Sequence, residues 1–293
     1  MTTQQAPAAV PRHTLDPRTS LDHVHLTVRN LEREVAFYRD VLGLQVHDRT
    51  DGEAALGAGQ VLLRLTERPD APRPAGVAGL YHFCILVPER VDLAQLLRRI
   101  VETRTPVQGL VDHRFSEAIY LPDPEGNGIE LNWDRPREQW PDPQALLRLG
   151  NAPLDVPGLE RLVENAPYPW PGLPAGSKIG HIHLHVGDLA AAERFYVGVL
   201  GFEKRMEIPG QAVFVSAGGY HHHVAFNLWA GRRLAPPPPD AAGLRYFAIR
   251  LADGSELRRV VDRVRAAGIA TQETAAGVLV RDPAGIGVVL TAG

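Results

Sequence analysis

Cysteine is all but missing: Cys84 is the single one in 293 residues. No internal disulfide can form, and sites built from several thiolates, zinc fingers and iron–sulfur clusters among them, are excluded. No apolar stretch approaches the roughly 20 residues that a membrane-spanning helix requires. There is no basic run to displace counterions from a phosphate backbone, and a net charge of -3 adds no bias toward nucleic acid. The first 20 residues are rich in Thr, Gln, Ala and Pro and lack the apolar segment of a secretory signal, so a disordered tail is expected over 1–20. These absences lead to the expectation of a cytoplasmic protein with a small-molecule substrate, no nucleic-acid or membrane partner, and a homo-oligomeric assembly.

What the chain does have is histidine, twelve in all, the commonest source of neutral metal ligands. It also has length for two domains of about 120 residues each. An internal repeat divides it. His23-Val-His-Leu-Thr-Val-Arg-Asn-Leu, followed by Phe37-Tyr38 and Val41-Leu42-Gly43, recurs as His181-Ile-His-Leu-His-Val-Gly-Asp-Leu, followed by Phe195-Tyr196 and Val199-Leu200-Gly201. Each half divides again, because His82-Phe-Cys-Ile-Leu-Val and Tyr246-Phe-Ala-Ile-Arg-Leu repeat the same alternation. Period-2 alternation predicts a half-buried strand. The period then changes to that of a helix, with Leu31, Val35, Tyr38 and Leu42 on one face and Leu93, Leu96, Leu97 and Ile100 on another. Asn30 and Asp188 suit helix N-caps. Short strands follow over 61–65, 118–121, 128–133, 212–216 and 287–291.

The expected fold is therefore α+β, with four tandem βαβββ modules paired into two domains. The N-terminal, catalytic domain is placed at 21–134 and a degenerate C-terminal domain at 177–293, joined by a Pro-rich linker over 135–176 in which 159–163 suggests a short helix. Superimposing the module starts puts His23, His82, His181 and Tyr246 at one position, and His25, Cys84, His183 and Ala248 at another. Aligning the last strands sets Glu130 opposite Val289. A carboxylate between Ile129 and Leu131 is costly to bury unless paired or bound to a metal. Two histidines with one carboxylate form the facial arrangement that leaves iron positions open. Taken within the first half, these residues are His23, His82 and Glu130. In the second half Tyr246, Leu279 and Val289 stand where the first has His82, Tyr120 and Glu130, so the first half is expected to carry the site.

The segment Val111-Asp-His113-Arg-Phe-Ser-Glu-Ala-Ile-Tyr120-Leu-Pro-Asp123-Pro124-Glu-Gly126-Asn-Gly-Ile-Glu130 resembles the ring-cleavage signature of the type I extradiol dioxygenases, within the vicinal-oxygen-chelate (glyoxalase/extradiol dioxygenase) superfamily. That resemblance covers residues 21–290. It implies Fe(II), with His23, His82 and Glu130 as metal ligands, Tyr120 and His113 as groups that hydrogen-bond substrate, and cleavage of a catechol-like diol by O2 in aromatic catabolism. Such relatives place an acid/base histidine between the two histidine ligands, where this chain has only His25 and His47; the proton-transfer group is unassigned. Two other readings share the fold: a glyoxalase-like isomerase or thiol transferase using Ni, Zn or Mn, and a metal-free small-molecule binding protein. The histidines at 181, 183 and 185 and at 221–223 form either a second metal site or packing. Cys84 reads as a small core residue.

Overall fold

The computed structural model describes residues 13–293. Its first module runs β1 (Ser20–Val28), α1 (Leu31–Asp40), β2 (Gln45–Arg49), β3 (Glu53–Gly57) and β4 (Val61–Glu67). The second runs β5 (Gly79–Val87), α2 (Arg90–Glu102), β6 (Gly109–Asp112), β7 (Ser116–Pro122) and β8 (Gly128–Asp134). The joint between the halves holds α3 (Pro143–Leu149), β9 (Ala152–Pro153) and α4 (Val156–Val163). The third module is β10 (Lys178–His185), α5 (Leu189–Glu193) continued by a wider π turn over Arg194–Leu200, β11 (Glu203–Ile208), β12 (Ala212–Ser216) and β13 (Val224–Asn227). The fourth is β14 (Gly243–Leu251), α6 (Gly254–Ala266), β15 (Gln272–Thr274), β16 (Gly277–Arg281) and β17 (Gly287–Ala292). The expected α+β fold of four βαβββ modules is what forms.

Local chemistry explains the helix starts. Asn30 Oδ1 accepts from Arg33 N at 2.9 Å and Asp188 Oδ1 from Ala191 N at 3.0 Å, each satisfying a donor that the first turn leaves free. The helices of modules one and three end on glycines in the left-handed region, Gly43 at φ 74° and Gly201 at φ 99°, which explains the repeated Val-Leu-Gly. At Gly43 a side chain would also collide, since an added Cβ would lie 2.6 Å from the Trp170 ring.

The modules do not share sheets by halves. β1 pairs antiparallel with β14, giving an eight-stranded sheet in the order β15-β16-β17-β14-β1-β4-β3-β2. β5 pairs antiparallel with β10, giving a nine-stranded sheet in the order β11-β12-β13-β10-β5-β8-β7-β6-β9. Module one thus joins module four, and module two joins module three, so each sheet draws on both 21–134 and 177–293. The halves meet elsewhere: Tyr38 of module one donates to Asp123 Oδ2 of module two at 2.9 Å, and Tyr196 of module three to Asp282 Oδ2 of module four at 3.0 Å. That contact accounts for both the repeated Phe-Tyr pair and the aspartate of each Asp-Pro turn.

Along the strands one face is apolar and buried. Phe83 and Ile85 of β5, Ile129 and Leu131 of β8, and Ile182 and Leu184 of β10 lie in the main core. By the period-2 rule the opposite face carries His82, Glu130, His181 and His183. Part of the stretch expected as a disordered tail is instead folded onto the molecule: Leu15 is buried and its N–H donates to Gly201 O at 2.9 Å. The remainder of the expected tail, 1–12, lies outside the described residues. Inside 135–176, α4 takes in the expected helix at 159–163 and packs on α2. No helix among the described residues is long and apolar enough to cross a membrane.

Glu34 on α1 is wholly buried, with both carboxylate oxygens lacking hydrogen-bond partners among the described residues. Burial first, then the nearby charges of Asp123 and Glu125, push its pKa up to about 9. Because the folded value lies above the unfolded one, Glu34 favours folding most below the unfolded pKa of about 4.5, and that contribution is lost as pH rises toward 9. Glu34→Gln keeps the neutral shape, so its melting temperature should rise relative to the parent between pH 6 and pH 9. A difference that does not change with pH would show that Glu34 does not carry the proton.

Candidate metal centre

Three strands side by side, β10, β5 and β8, each contribute one inward side chain. His181 Nε2 lies 2.8 Å from Glu130 Oε2, His82 Nε2 lies 3.0 Å from the same oxygen, and the two imidazole nitrogens are 3.3 Å apart. All three residues are buried. Burial resists the charge on Glu130, but attraction to His181 and hydrogen bonds from His181 and His82 outweigh it and hold the carboxyl well below the ordinary range. Burial keeps His181 below the usual imidazole value in spite of Glu130. An ionised carboxylate and an unprotonated imidazole are the forms that bind metals.

Of the residues singled out in the sequence, His82 and Glu130 meet in this cluster and His23 does not. His23 stands on β1 in the other sheet, with Nδ1 2.9 Å from Asp22 Oδ2 and Nε2 3.3 Å from the Tyr246 hydroxyl. The physical reason is the module pairing: β5 finds β10, not β1, as its antiparallel neighbour. The repeat comparison had put His23 and His181 at the same position, and Tyr246 at that of His82, so the His23–Tyr246 contact is the counterpart of His181–His82. Val289 stands where the inner sheet has Glu130 and offers no carboxylate to complete it.

Tyr120 and His113 stand beside Glu130. Tyr120 is paired with Glu130 across β7 and β8, and its hydroxyl is 2.7 Å from His113 Nε2, while His113 Nδ1 is 2.9 Å from Asn151 Oδ1. Burial first, then the charge of Glu130, raises the Tyr120 phenol well above its ordinary pKa, so it stays protonated. On the other flank the His222 ring centre is 4.2 Å from that of His181. His222 Nδ1 is 2.9 Å from His221 Nδ1, and His221 Nε2 is 3.1 Å from Asp134 Oδ1. A carboxylate only accepts, so His221 donates from Nε2 and accepts at Nδ1. His222 must then donate from Nδ1, which leaves its Nε2 lone pair free.

The family model for the glyoxalase/bleomycin resistance protein/dioxygenase superfamily matches residues 20–131 and again 178–290. The chain belongs to this superfamily. A catechol-2,3-dioxygenase of Bacillus subtilis is 44% identical over 271 residues, covering 90% of this chain and 94% of that one. A solved structure from Bacillus subtilis shares the fold with a TM-score of 0.63 at 14% identity, covering 93% of this chain and 84% of that one. Glyoxalase I from Zea mays superimposes with a TM-score of 0.57 at 18% identity, covering 94% and 92%.

The open face of the sheet borders a cavity of about 870 Å³, which His82, Glu130, Tyr120, His113, His183, His221 and His222 reach. Aromatic rings line it: Phe115 stacks on His221 with ring centres 4.4 Å apart, and Trp229 lies against Tyr81 and His183. Two features of the cavity are not legible in the sequence. The Asp134–His221–His222 chain was visible only as a histidine run, and Trp140, which lines the cavity, sits in the stretch read as linker. His25 and His47, the histidines between His23 and His82, do not line this cavity; His25 bonds Thr66 Oγ1 at 2.8 Å, and His47 is exposed on β2. Cys84 is buried, and burial raises its thiol well above the ordinary value, as suits an inert core residue.

Proposed function

We propose that the protein is an Fe(II)-dependent extradiol dioxygenase of the catechol 2,3 type, cleaving a catechol-like aromatic diol with O2, and that His82, Glu130 and His181 hold the iron. The observation that carries this reading is the convergence of two imidazole nitrogens and one carboxylate oxygen, within 3.3 Å of one another, from one face of one sheet. Two histidines and a carboxylate on one side are the donor set that suits ferrous iron and leaves its other positions facing the cavity. Among the described residues Glu130 is the only carboxylate in either group of donors that could hold a metal, which disfavours an isomerase needing two acids. The 44% identity to a catechol-2,3-dioxygenase supports the same activity.

Bound there, Fe(II) would supply the positions at which diol and O2 meet and the redox capacity for their reaction. The chain's own residues do the rest. His222, with its Nε2 lone pair free, takes a proton from the diol hydroxyl, and the Asp134–His221 chain fixes the tautomer that makes this possible. Tyr120 stands on the Glu130 flank, its hydroxyl 2.7 Å from His113 Nε2, and can turn to donate a hydrogen bond to oxygen as charge develops, while His113, which donates from Nδ1 to Asn151 Oδ1, positions it. Phe115, Trp140 and Trp229 offer aromatic faces against which the ring packs.

The test is to purify the protein anaerobically, load it with Fe(II), Mn(II) or Zn(II), and follow O2 uptake on a panel of catechols. We expect the Fe(II) protein to consume one O2 per diol and to form a ring-opened semialdehyde-type product. Absence of O2 uptake by the iron-loaded protein with every diol would refute the assignment.

A further inference from the structure

The metal centre sits on the middle strands of the sheet that floors the cavity, and a single ring there does not fill the space that continues toward β11. About 150 Å³ suffices for benzene, whereas this cavity measures about 870 Å³. Its long direction follows the sheet. From His82 the register runs to His183, then Ala225, then Phe214, then Met206. Ala225, Phe214 and Ala212 form an apolar patch of their own, separate from the main core, with Met206 and Ile208 packed against it. That patch is a floor for an aliphatic chain.

At its far end stands Arg205. On β11 Lys204 pairs with Val215 and Met206 with Phe214, so Arg205 is the extra residue of a bulge. Without the bulge Arg205 and Met206, as neighbours, would point to opposite faces; with it both line the cavity. Lys204 is turned away and pairs with Glu193 and Glu207. Arg205 has no such partner among the described residues: its Nε is shut off from solvent and makes no hydrogen bond. Asp142 also lines the cavity, and its carboxylate accepts from Ala145 N at 3.4 Å at the start of α3. A buried, unsatisfied guanidinium donor is costly unless something completes it.

We infer that Arg205 completes its hydrogen bonding with the substrate, binding a carboxylate at the end of a side chain on the diol. The inference rests on the ring-cleavage reading and narrows it to catechols with an acid-terminated chain. β10 and β11 are three strand spacings apart, about 14 Å, and the arginine side chain covers part of that distance. A ring at the metal centre, a short aliphatic spacer over Phe214 and a terminal carboxylate span the remainder. Guanidinium and carboxylate match in a two-pronged geometry that an amide cannot reproduce.

The experiment compares 3,4-dihydroxyphenyl-alkanoates of increasing chain length with their primary amides and with unsubstituted catechol, for the Fe(II)-loaded parent, Arg205→Met and Arg205→Lys. The parent should prefer one acid to its amide, and Arg205→Met should lose roughly 10- to 100-fold in kcat/KM on that acid while amides and catechol stay within about twofold. Arg205→Lys should recover part of the loss. Equal parent rates on acids and amides, or an even loss on all substrates in folded, metal-loaded Arg205→Met, would overturn the inference. Anaerobic calorimetry with the same acid and amide separates the two ideas. An Arg205-dependent preference for binding the acid without any cleavage supports the subsite and sinks the dioxygenase reading, and equal binding of acid and amide sinks the subsite.

Discussion

His181→Ala should leave a folded protein that has lost its metal and its ring-cleaving turnover, while His23→Ala keeps both within about twofold. Three protein ligands leave no spare, so removing one discards an anchoring bond and opens a fourth position to water. His181 is the second imidazole on Glu130, at 2.8 Å, whereas His23 spends its nitrogens on Asp22 and Tyr246 in the other sheet. Metal per chain by elemental analysis, with turnover and a melting curve for each variant, makes the comparison. Because His181 is 1% exposed, alanine leaves a void, and His181→Gln serves as the variant that keeps the volume. Loss of metal from folded His23→Ala with His181→Ala unaffected would return the centre to the first half of the chain.

His222→Gln should keep its metal and lose about 100- to 10,000-fold in kcat, the usual contribution of a positioned acid or base. The motive is geometric. His222 lines the cavity beside His181, and the chain from Asp134 through His221 leaves its Nε2 as the free acceptor. Asp134→Asn should act in the same direction with a smaller loss, because it disturbs only the tautomer. Metal content separates the outcomes: unchanged kcat in metal-loaded His222→Gln would remove the residue from proton transfer, and a kcat that falls only in step with metal content would make it part of the metal's surroundings instead.

Much of the fold was legible before any coordinates. Alternation and helical period marked the four modules, and Asn30 and Asp188 cap the helices they were expected to cap. Tyr120, His113, His82 and Glu130, all singled out in the sequence, line one cavity. What could not be read was which first strand lies beside β5. His23 and His181 hold equivalent places in their modules, and both lie on strands able to pair; the choice is made by packing between residues far apart in sequence, which no local pattern records. Two further features were hidden for local reasons. Arg205 needed the bulge in β11 to face inward, and strict alternation places it on the other side. The linker's prolines concealed α3 and β9, since proline marks turns but is equally at home in the first turn of a helix.

The pairing of β1 with β14 brings Ser20 opposite Arg250. As the chain leaves the ribosome, β1 can pair with β4 of its own module, yet its other edge has no partner until most of the residues have followed it, whereas β5 and β10 can close on each other much sooner. Pairings of such long sequence separation form slowly, because loop closure precedes any gain from contact. Assembly therefore proceeds from the middle outward. By that reasoning the sheet that bears His82, Glu130 and His181 closes first, the outer sheet is the latch that shuts around it, and one edge of β1 waits unpaired during synthesis.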